Sequence, residues 1–208
     1  MTDIESLLRA TERLPAPLPG FAVPDDIAHV SYCIDDSPVG KLLLARTGRG
    51  LVRVAFLRGD EADRAAGVHD PSEVLQELAD SVTPRVLDAA PALDDVRREL
   101  DEFFSGRRHG FDLPLDWRLT SGFTRRVLRA TAAIPYGELS TYKGVATVAG
   151  SPKAYRAAGT ALGANPLPIV VPCHRVLHSD GGLGGYAGGL ERKLTLLDVE
   201  GHRSAGGR

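Results

Sequence analysis

Residues 141 to 162 read Thr-Tyr-Lys-Gly-Val-Ala-Thr-Val-Ala-Gly-Ser-Pro-Lys-Ala-Tyr-Arg-Ala-Ala-Gly-Thr-Ala-Leu. Thr141 is placed to cap a helix over 142–149, Gly150 to stop it, and Ser151-Pro152 to open a second helix with a capping hydroxyl and a proline at its first position. Two short helices around a tight glycine-containing turn make a helix-turn-helix. The second, over 152–162, is nearly bare, since Ala154, Ala157, Ala158, Gly159 and Ala161 leave only Lys153, Tyr155 and Arg156 to project. Such a surface packs closely against another helix or against a nucleic-acid backbone, and composition alone leaves both open.

Working toward the C-terminus, residues 165 to 176 read Asn-Pro-Leu-Pro-Ile-Val-Val-Pro-Cys-His-Arg-Val. Pro172 fixes its own φ and pushes Val171 into an extended conformation, so 168–171 is expected as a short buried strand that delivers Cys173 to a sharp turn. An isolated cysteine is more often an inert core residue than a nucleophile. Here the company differs: His174, Arg175 and His178 crowd the sulfur, and an imidazole and a guanidinium both tune the thiolate fraction. Adjacent residues on an extended chain point to opposite sides, so His174 reaches Cys173 only if the chain turns or a water bridges them. Residues 179–189 then hold six glycines in eleven positions around Tyr186, a loop that lets backbone approach a ligand closely.

Working toward the N-terminus, a helix over 121–133 precedes the helix-turn-helix, and 29–35, 41–47 and 51–56 read as three strands separated by Ser37-Pro-Val-Gly40 and Gly48-Arg-Gly50. Helical periodicity runs over 72–81 and 93–104 with a strand at 85–89 between them. Ile4, Leu7 and Leu8 give 1–12 helical spacing, and the proline-rich 14–20 is a stiff linker. The expected fold class is α+β: an extension over 1–25, then an N-terminal α/β domain over 26–117 with a three-stranded antiparallel meander, then a mainly helical helix-turn-helix domain over 118–208 that carries the cysteine.

The 208 residues suffice for adequate cores. Their net charge of −2 hides a polarity, because 1–117 holds 13 Lys and Arg against 22 Asp and Glu while 118–208 holds 12 against 5. A cationic half opposed to an anionic half suits a protein with one face on phosphates. Two widely separated cysteines with no Cys-x-x-Cys pair argue against a disulfide framework and a structural zinc. No apolar run approaches the ~20 residues that cross a bilayer, and the expectation is a cytoplasmic protein.

Pro-Cys-His-Arg-Val at 172–176, together with Ile134-Pro-Tyr-Gly137, Gly150-Ser-Pro-Lys153, Gly163-Ala-Asn-Pro166 and Gly184-Gly-Tyr-Ala-Gly-Gly-Leu190, resembles the O6-alkylguanine-DNA alkyltransferases, the methylated-DNA–protein-cysteine methyltransferases. The resemblance is dense from 121 to 201 and looser through Ser37-Pro-Val-Gly40 and 111–117. It implies a direct-reversal repair protein that flips O6-alkylguanine out of double-stranded DNA, with O4-alkylthymine as a further substrate, and transfers the alkyl group irreversibly to Cys173. Flipping is required because the O6 atom of a stacked guanine cannot reach a buried thiolate. It further implies no metal or organic cofactor, a monomer with cooperative binding on DNA left open, and one turnover per molecule.

The same resemblance assigns roles residue by residue. Cys173, His174 and Glu200 are the catalytic set, joined by water into a proton relay. Tyr142, Val176, Tyr186, Ala187 and Gly188 bind the flipped base, with Ala187 standing where relatives often have serine. Arg156 fills the space the base vacates, beside Lys153, Ala154 and Tyr155 on the DNA, while Asn165 and Arg175 are structural supports, Arg175 through an ion pair. Cys33 receives no role. Three other readings compete: a noncatalytic alkylated-DNA sensor, in which the nucleophilic cysteine is replaced; a Cys-His hydrolase, which wants a base distant in sequence; and a sequence-specific regulator, which wants a helix rich in base-reading side chains.

Overall fold

The apolar runs of the N-terminal half are too continuous for strands with one wet face, and the computed structural model, which describes residues 29–59 and 68–202, buries them on both sides. The expected helix over 1–12 and linker over 14–20 lie outside those residues. Strands β1 (Val30–Asp35), β2 (Leu42–Thr47) and β3 (Gly50–Phe56) form the antiparallel meander. β4 (Val86–Asp88) adds to the free side of β1 in parallel, giving the order β3-β2-β1-β4. A parallel partner requires a crossover, and α1 (Pro71–Ser81) lies within it. Asp70 starts α1 with a capping box, accepting from the Ser72 N–H at 2.9 Å while Glu73 accepts from the Asp70 N–H.

Val30, Leu43, Val52 and Ala55 cluster with Val74 and Leu78 of α1 on one face of the sheet. Leu42, Leu44, Val54 and Phe56 share the other with Val96, Leu100 and Phe103 of α2 (Asp94–Phe104), and that core continues without a break into the helical half. Each such side chain contributes about 1.5–3 kcal/mol on burial. β3 is an edge strand, and bare edges invite pairing with other chains. Here the edge is used: the Leu51 N–H donates to the Pro114 carbonyl, the Asp116 N–H to the Leu51 carbonyl, and the Val54 N–H to the Pro166 carbonyl, each at 2.8 Å. The last of these attaches the sheet to the segment that leads to Cys173.

In the helical half follow α3 (Gly122–Ala132), β5 (Ser140–Thr141), α4 (Tyr142–Val148), α5 (Tyr155–Gly163), β6 (Val176–Leu177) and α6 (Leu190–Val199). Thr141 caps α4 as expected, its hydroxyl accepting from the Gly144 N–H at 3.0 Å, and Gly150 leaves the helix at φ +79°. The second helix departs from expectation. It begins at Tyr155, because 151–154 closes a turn in which the Ala154 N–H donates to the Ser151 carbonyl at 2.9 Å, and the Ser151 hydroxyl caps nothing. Lys153 and Ala154 therefore precede the helix.

A second correction concerns 168–171, which is buried but forms turns and no strand. The Val171 N–H donates to the Leu167 carbonyl at 2.8 Å, and Ile169 sits at φ +73°, a costly conformation for a β-branched residue that only its surroundings can enforce.

Candidate active site

Cys173 opens a single 3₁₀ turn, Cys173–Arg175, that leads directly into β6. β6 pairs in parallel with β5, matching Ser140 with Val176, so the residue after the turn is tied to the residue before the helix-turn-helix. Cys173 is 6% exposed and lies on the wall of a cavity of about 920 Å³. Across that cavity stand Tyr142 at the start of α4, Tyr155 and Arg156 at the start of α5, and Tyr186 and Ala187 from the glycine-rich loop.

Asn165 holds the thiol in place. Its amide donates to the Val171 carbonyl at 3.0 Å and to the Cys173 sulfur at 3.2 Å, while its side-chain oxygen accepts from the Leu167 N–H at 3.0 Å. The irregular 165–173 segment forms no strand ladder, meeting β3 only where the Val54 N–H donates to the Pro166 carbonyl, and this one amide satisfies part of the rest of its backbone. Burial pushes the Cys173 thiol above its ordinary pKa, and the Asn165 hydrogen bond and the Lys193 cation pull it back part of the way.

Behind the cysteine, His174 is fully buried and its Nε2 lies 2.9 Å from Glu200 Oε1. Arg175 grips the same carboxylate, Nε to Oε2 at 2.9 Å and Nη2 to Oε1 at 2.8 Å, and a further nitrogen donates to the Ile134 carbonyl. Burial alone would raise the Glu200 carboxyl, but the His174 and Arg175 hydrogen bonds outweigh it and hold the group at about 2. Burial dominates at His174 and lowers its pKa despite Glu200. An ionised carboxylate facing a neutral imidazole places the proton on Nε2 and leaves Nδ1 as the acceptor. His174 Nδ1 is buried and bonds to no protein group among the described residues.

Glycines shape the pocket walls. A Cβ at Gly184 would collide with the Tyr142 hydroxyl, and at Gly159 it would stand 3.7 Å from the Tyr142 ring, so bare backbone seats this ring from two sides. His178 meets the ring at 5.1 Å between centroids. Tyr186 has a buried hydroxyl with no ordinary hydrogen-bond partner, and burial, reinforced by the nearby Cys173 sulfur, raises its pKa well above the usual phenol range.

Of the residues singled out from sequence, Cys173, Tyr142, Tyr186, Ala187, Tyr155 and Arg156 meet at the cavity. Lys153 and Ala154 stand in the turn before α5, and Gly188 is buried behind the cavity wall. Val176 is fully buried, and its carbonyl already accepts from Lys193 Nζ at 2.8 Å, leaving one lone pair. Lys193 is the buried cation near the sulfur that the sequence reading missed. It is 0% exposed, also donates to the Leu183 carbonyl, and pairs with no carboxylate among the described residues. Its signal lay in spacing, since Leu196 and Leu197, three and four positions on, put Lys193 on the buried stripe of α6. Among the described residues no three His, Cys, Asp or Glu gather as a metal site would require, and no helix is long and apolar enough to cross a membrane.

A cysteine presented on the wall of an open cavity, beside the second helix of a helix-turn-helix and backed by a His–Glu–Arg cluster, points to the class of DNA-directed proteins that work through a thiol. Residues 122–202 match the family model described as the 6-O-methylguanine DNA methyltransferase DNA binding domain, and residues 30–117 match that of the 6-O-methylguanine DNA methyltransferase ribonuclease-like domain. The chain is 38% identical over 169 residues to a methylated-DNA–protein-cysteine methyltransferase of Methanosarcina barkeri, covering 81% of this chain and 96% of that one. It is 41% identical over 171 residues to the protein of the same name from Mycolicibacterium paratuberculosis, covering 82% and 92%. Among solved structures it superposes on Mycobacterium tuberculosis OGT in complex with DNA with a TM-score of 0.69 at 36% identity, over 84% of this chain and 94% of that one. The chain belongs to the 6-O-methylguanine DNA methyltransferase family.

Proposed function

We propose that this protein carries out its family's reaction, DNA repair by alkyl transfer to a cysteine of the protein itself, on O6-alkylguanine flipped from duplex DNA, with Cys173 as the acceptor. The observation that carries the reading is the placement of the Cys173 sulfur on one cavity wall with Tyr142 and the α5 residues Tyr155 and Arg156. The two halves, 26–117 and 118–208, divide the work, the second carrying both the helix-turn-helix and the thiol.

The reaction is an in-line displacement. The sulfur forms a bond to the alkyl carbon as the carbon–O6 bond breaks, and the thiol proton ends on the guanine that leaves. His174 Nδ1 first takes that proton through a bridging water, Glu200, held ionised by Arg175, stabilises the imidazolium that forms, and the imidazolium then gives the proton up through water to the guanine as it leaves. The Tyr142 hydroxyl, its pKa raised by burial and then by Cys173, stays protonated and donates to the departing base. The Cys173 and Val176 carbonyls each keep a lone pair for the exocyclic amine. Arg156, exposed at the start of α5, occupies the gap in the duplex, and Lys153 lies on the phosphates beside it. The product is a thioether that cellular thiols do not reverse, so each molecule acts once, as a monomer and without a cofactor, in the cytoplasm.

The sulfur's partner is the Asn165 amide and not a distant histidine, which separates this arrangement from a Cys-His hydrolase. Incubating the chain with an equimolar O6-methylguanine duplex is expected to add one methyl mass to the Cys173 peptide and restore guanine in the DNA. An unmodified protein that retains the duplex would identify a sensor instead.

A further inference from the structure

The glycine-rich wall of the cavity is held from behind by the sheet half. Gly188 is buried against Phe56, the last residue of β3, so closely that a Cβ there would lie 2.7 Å from two carbons of the ring. Its φ is not positive, so glycine stands there for space and not for conformation. The same ring meets Tyr186 edge-on at 5.8 Å. The Arg192 guanidinium packs over it at 5.5 Å, donating from Nε to the Val39 carbonyl at 2.7 Å and from Nη1 to the Gly188 carbonyl at 2.9 Å. A single guanidinium thus joins the turn before β2 to the loop, and the loop is fixed at 186 and 188, on either side of Ala187.

Phe56 does not line the cavity; Tyr186 and Ala187 do. Its 3% exposure places it in the core cluster that runs from the sheet into the helical half. Interiors are close-packed and rearrange in discrete steps, so the ring's volume sets how far the loop stands from Cys173. We infer that Phe56, backed by Arg192, is a specificity-determining positioning residue that limits the size of the alkyl group the pocket accepts, by fixing the Tyr186–Gly188 wall from outside it. The inference rests on the alkyl-transfer reading of Cys173.

The test uses the full chain in excess over duplexes containing either O6-methylguanine or O6-benzylguanine, with single-turnover rates measured for each. Phe56→Leu shortens the ring's reach, and the benzyl-to-methyl rate ratio is expected to rise by roughly tenfold, the lower end of what a hydrophobic pocket senses for one methylene. Arg192→Lys keeps the charge but gives up the two-carbonyl grip, and is expected to move the ratio the same way by a smaller factor. A core of this kind tolerates Phe→Leu unevenly, so if that variant does not fold, the Arg192→Lys ratio decides. Rates that fall together with the ratio unchanged would reduce Phe56 to ordinary core packing and overturn the inference. Failure of the unaltered chain to transfer either group would instead overturn the alkyl-transfer reading, and this inference with it.

Discussion

The two cysteines sit in two kinds of interior. Cys33 lies in β1, 3% exposed, among strand side chains, and its thiol is pushed up to about 11 by burial first and then by Asp35, with Asp88 and Asp94 adding in the same direction and only the Arg97 guanidinium pulling back. Cys173 is buried nearly as well, and burial raises it too, but its neighbours oppose the shift: an amide donor from Asn165 and the ammonium of Lys193. Burial alone makes a thiol inert. Reactivity is a matter of which charges and donors the fold brings to the same depth: around Cys33 the carboxylates of Asp35, Asp88 and Asp94 outweigh the one guanidinium of Arg97, whereas the helical half supplies Cys173 with a donor and a cation.

The largest break in this comparison is expected from exchanging the fates of the two sulfurs. Cys173→Ser should lower transfer from an O6-methylguanine duplex by at least ~10³-fold, because a serine hydroxyl lacks a comparable population of the nucleophilic anion at pH 7. Cys33→Ser should leave the single-turnover rate unchanged while lowering the melting temperature, since it buries a hydroxyl among apolar side chains. Rates that respond to Cys33 instead would undo the assignment.

Acid should separate the regions next. Burial holds the His174 pKa below its ordinary 6.5, so the stability contributed by the neutral imidazole is complete above pH 6.5 and is lost as the pH falls below it. Glu200, held at about 2 against an ordinary 4.5, contributes stability that is complete above pH 4.5 and is lost as the pH falls toward 2, on the order of 3 kcal/mol. Both slopes have the same sign. Amide hydrogen exchange on stepwise acidification is expected to show 173–177 and 199–201 losing protection ahead of β1 and β2, and Glu200→Gln should flatten the dependence below pH 4.5. Uniform loss across both regions would mean that the His–Glu–Arg cluster does not anchor its own half.

How much of this was readable from sequence differs between the halves for physical reasons. The meander announced itself because its strands are nearly continuous apolar runs between turn residues, and the helix-turn-helix because Thr141 and Gly150 act locally. The strand expected at 168–171 failed for the opposite reason: Ile169, Val170 and Val171 have strand propensity, but prolines at 166, 168 and 172 remove the ladder donors, and the Asn165 amide replaces a sheet partner with side-chain hydrogen bonds. Ser151-Pro152 looks like a helix start because cap preference is local, whereas the Ala154 N–H closes a turn onto the Ser151 carbonyl and delays α5 to Tyr155. The pairing of His174 with Glu200 was legible through the family resemblance, and the structure brings the two within 2.9 Å. Lys193 was not, because a lone lysine is ordinarily solvated, and Phe56 was not, because nothing in a strand records which loop will press on it.

A tenfold effect is expected at Lys193, the cation the comparison turns on. Lys193→Met keeps the buried stem and removes the charge, so the Cys173 thiol should rise further and the transfer rate at pH 7 should drop by about tenfold, one unit of thiol pKa. Burial lowers the Lys193 pKa to about 8, so the wild-type cation is itself present below pH 8 and lost above it. The gap between variant and wild type should therefore be widest below pH 8 and narrow as pH rises beyond it. A deficit of equal size at every pH would assign Lys193 only the task of tying the Val176 and Leu183 carbonyls together.

The smallest effect sharpens the comparison from the inert side. Cys33 is core-packed in a strand whose partners, Leu44 across in β2 among them, leave it no ligand and no open wall. Cys33→Ala removes one sulfur's volume and should cost about 1 kcal/mol of unfolding free energy, the size of other small core truncations, with alkyl transfer unaffected. In the native wild-type chain a thiol-directed alkylating reagent should accordingly label Cys173 well before Cys33, because the first faces a cavity and has its thiolate supported, while the second must wait for β1 to open. Equal labelling rates would mean that strand opening, and not the charges around each sulfur, governs thiol reactivity in this protein.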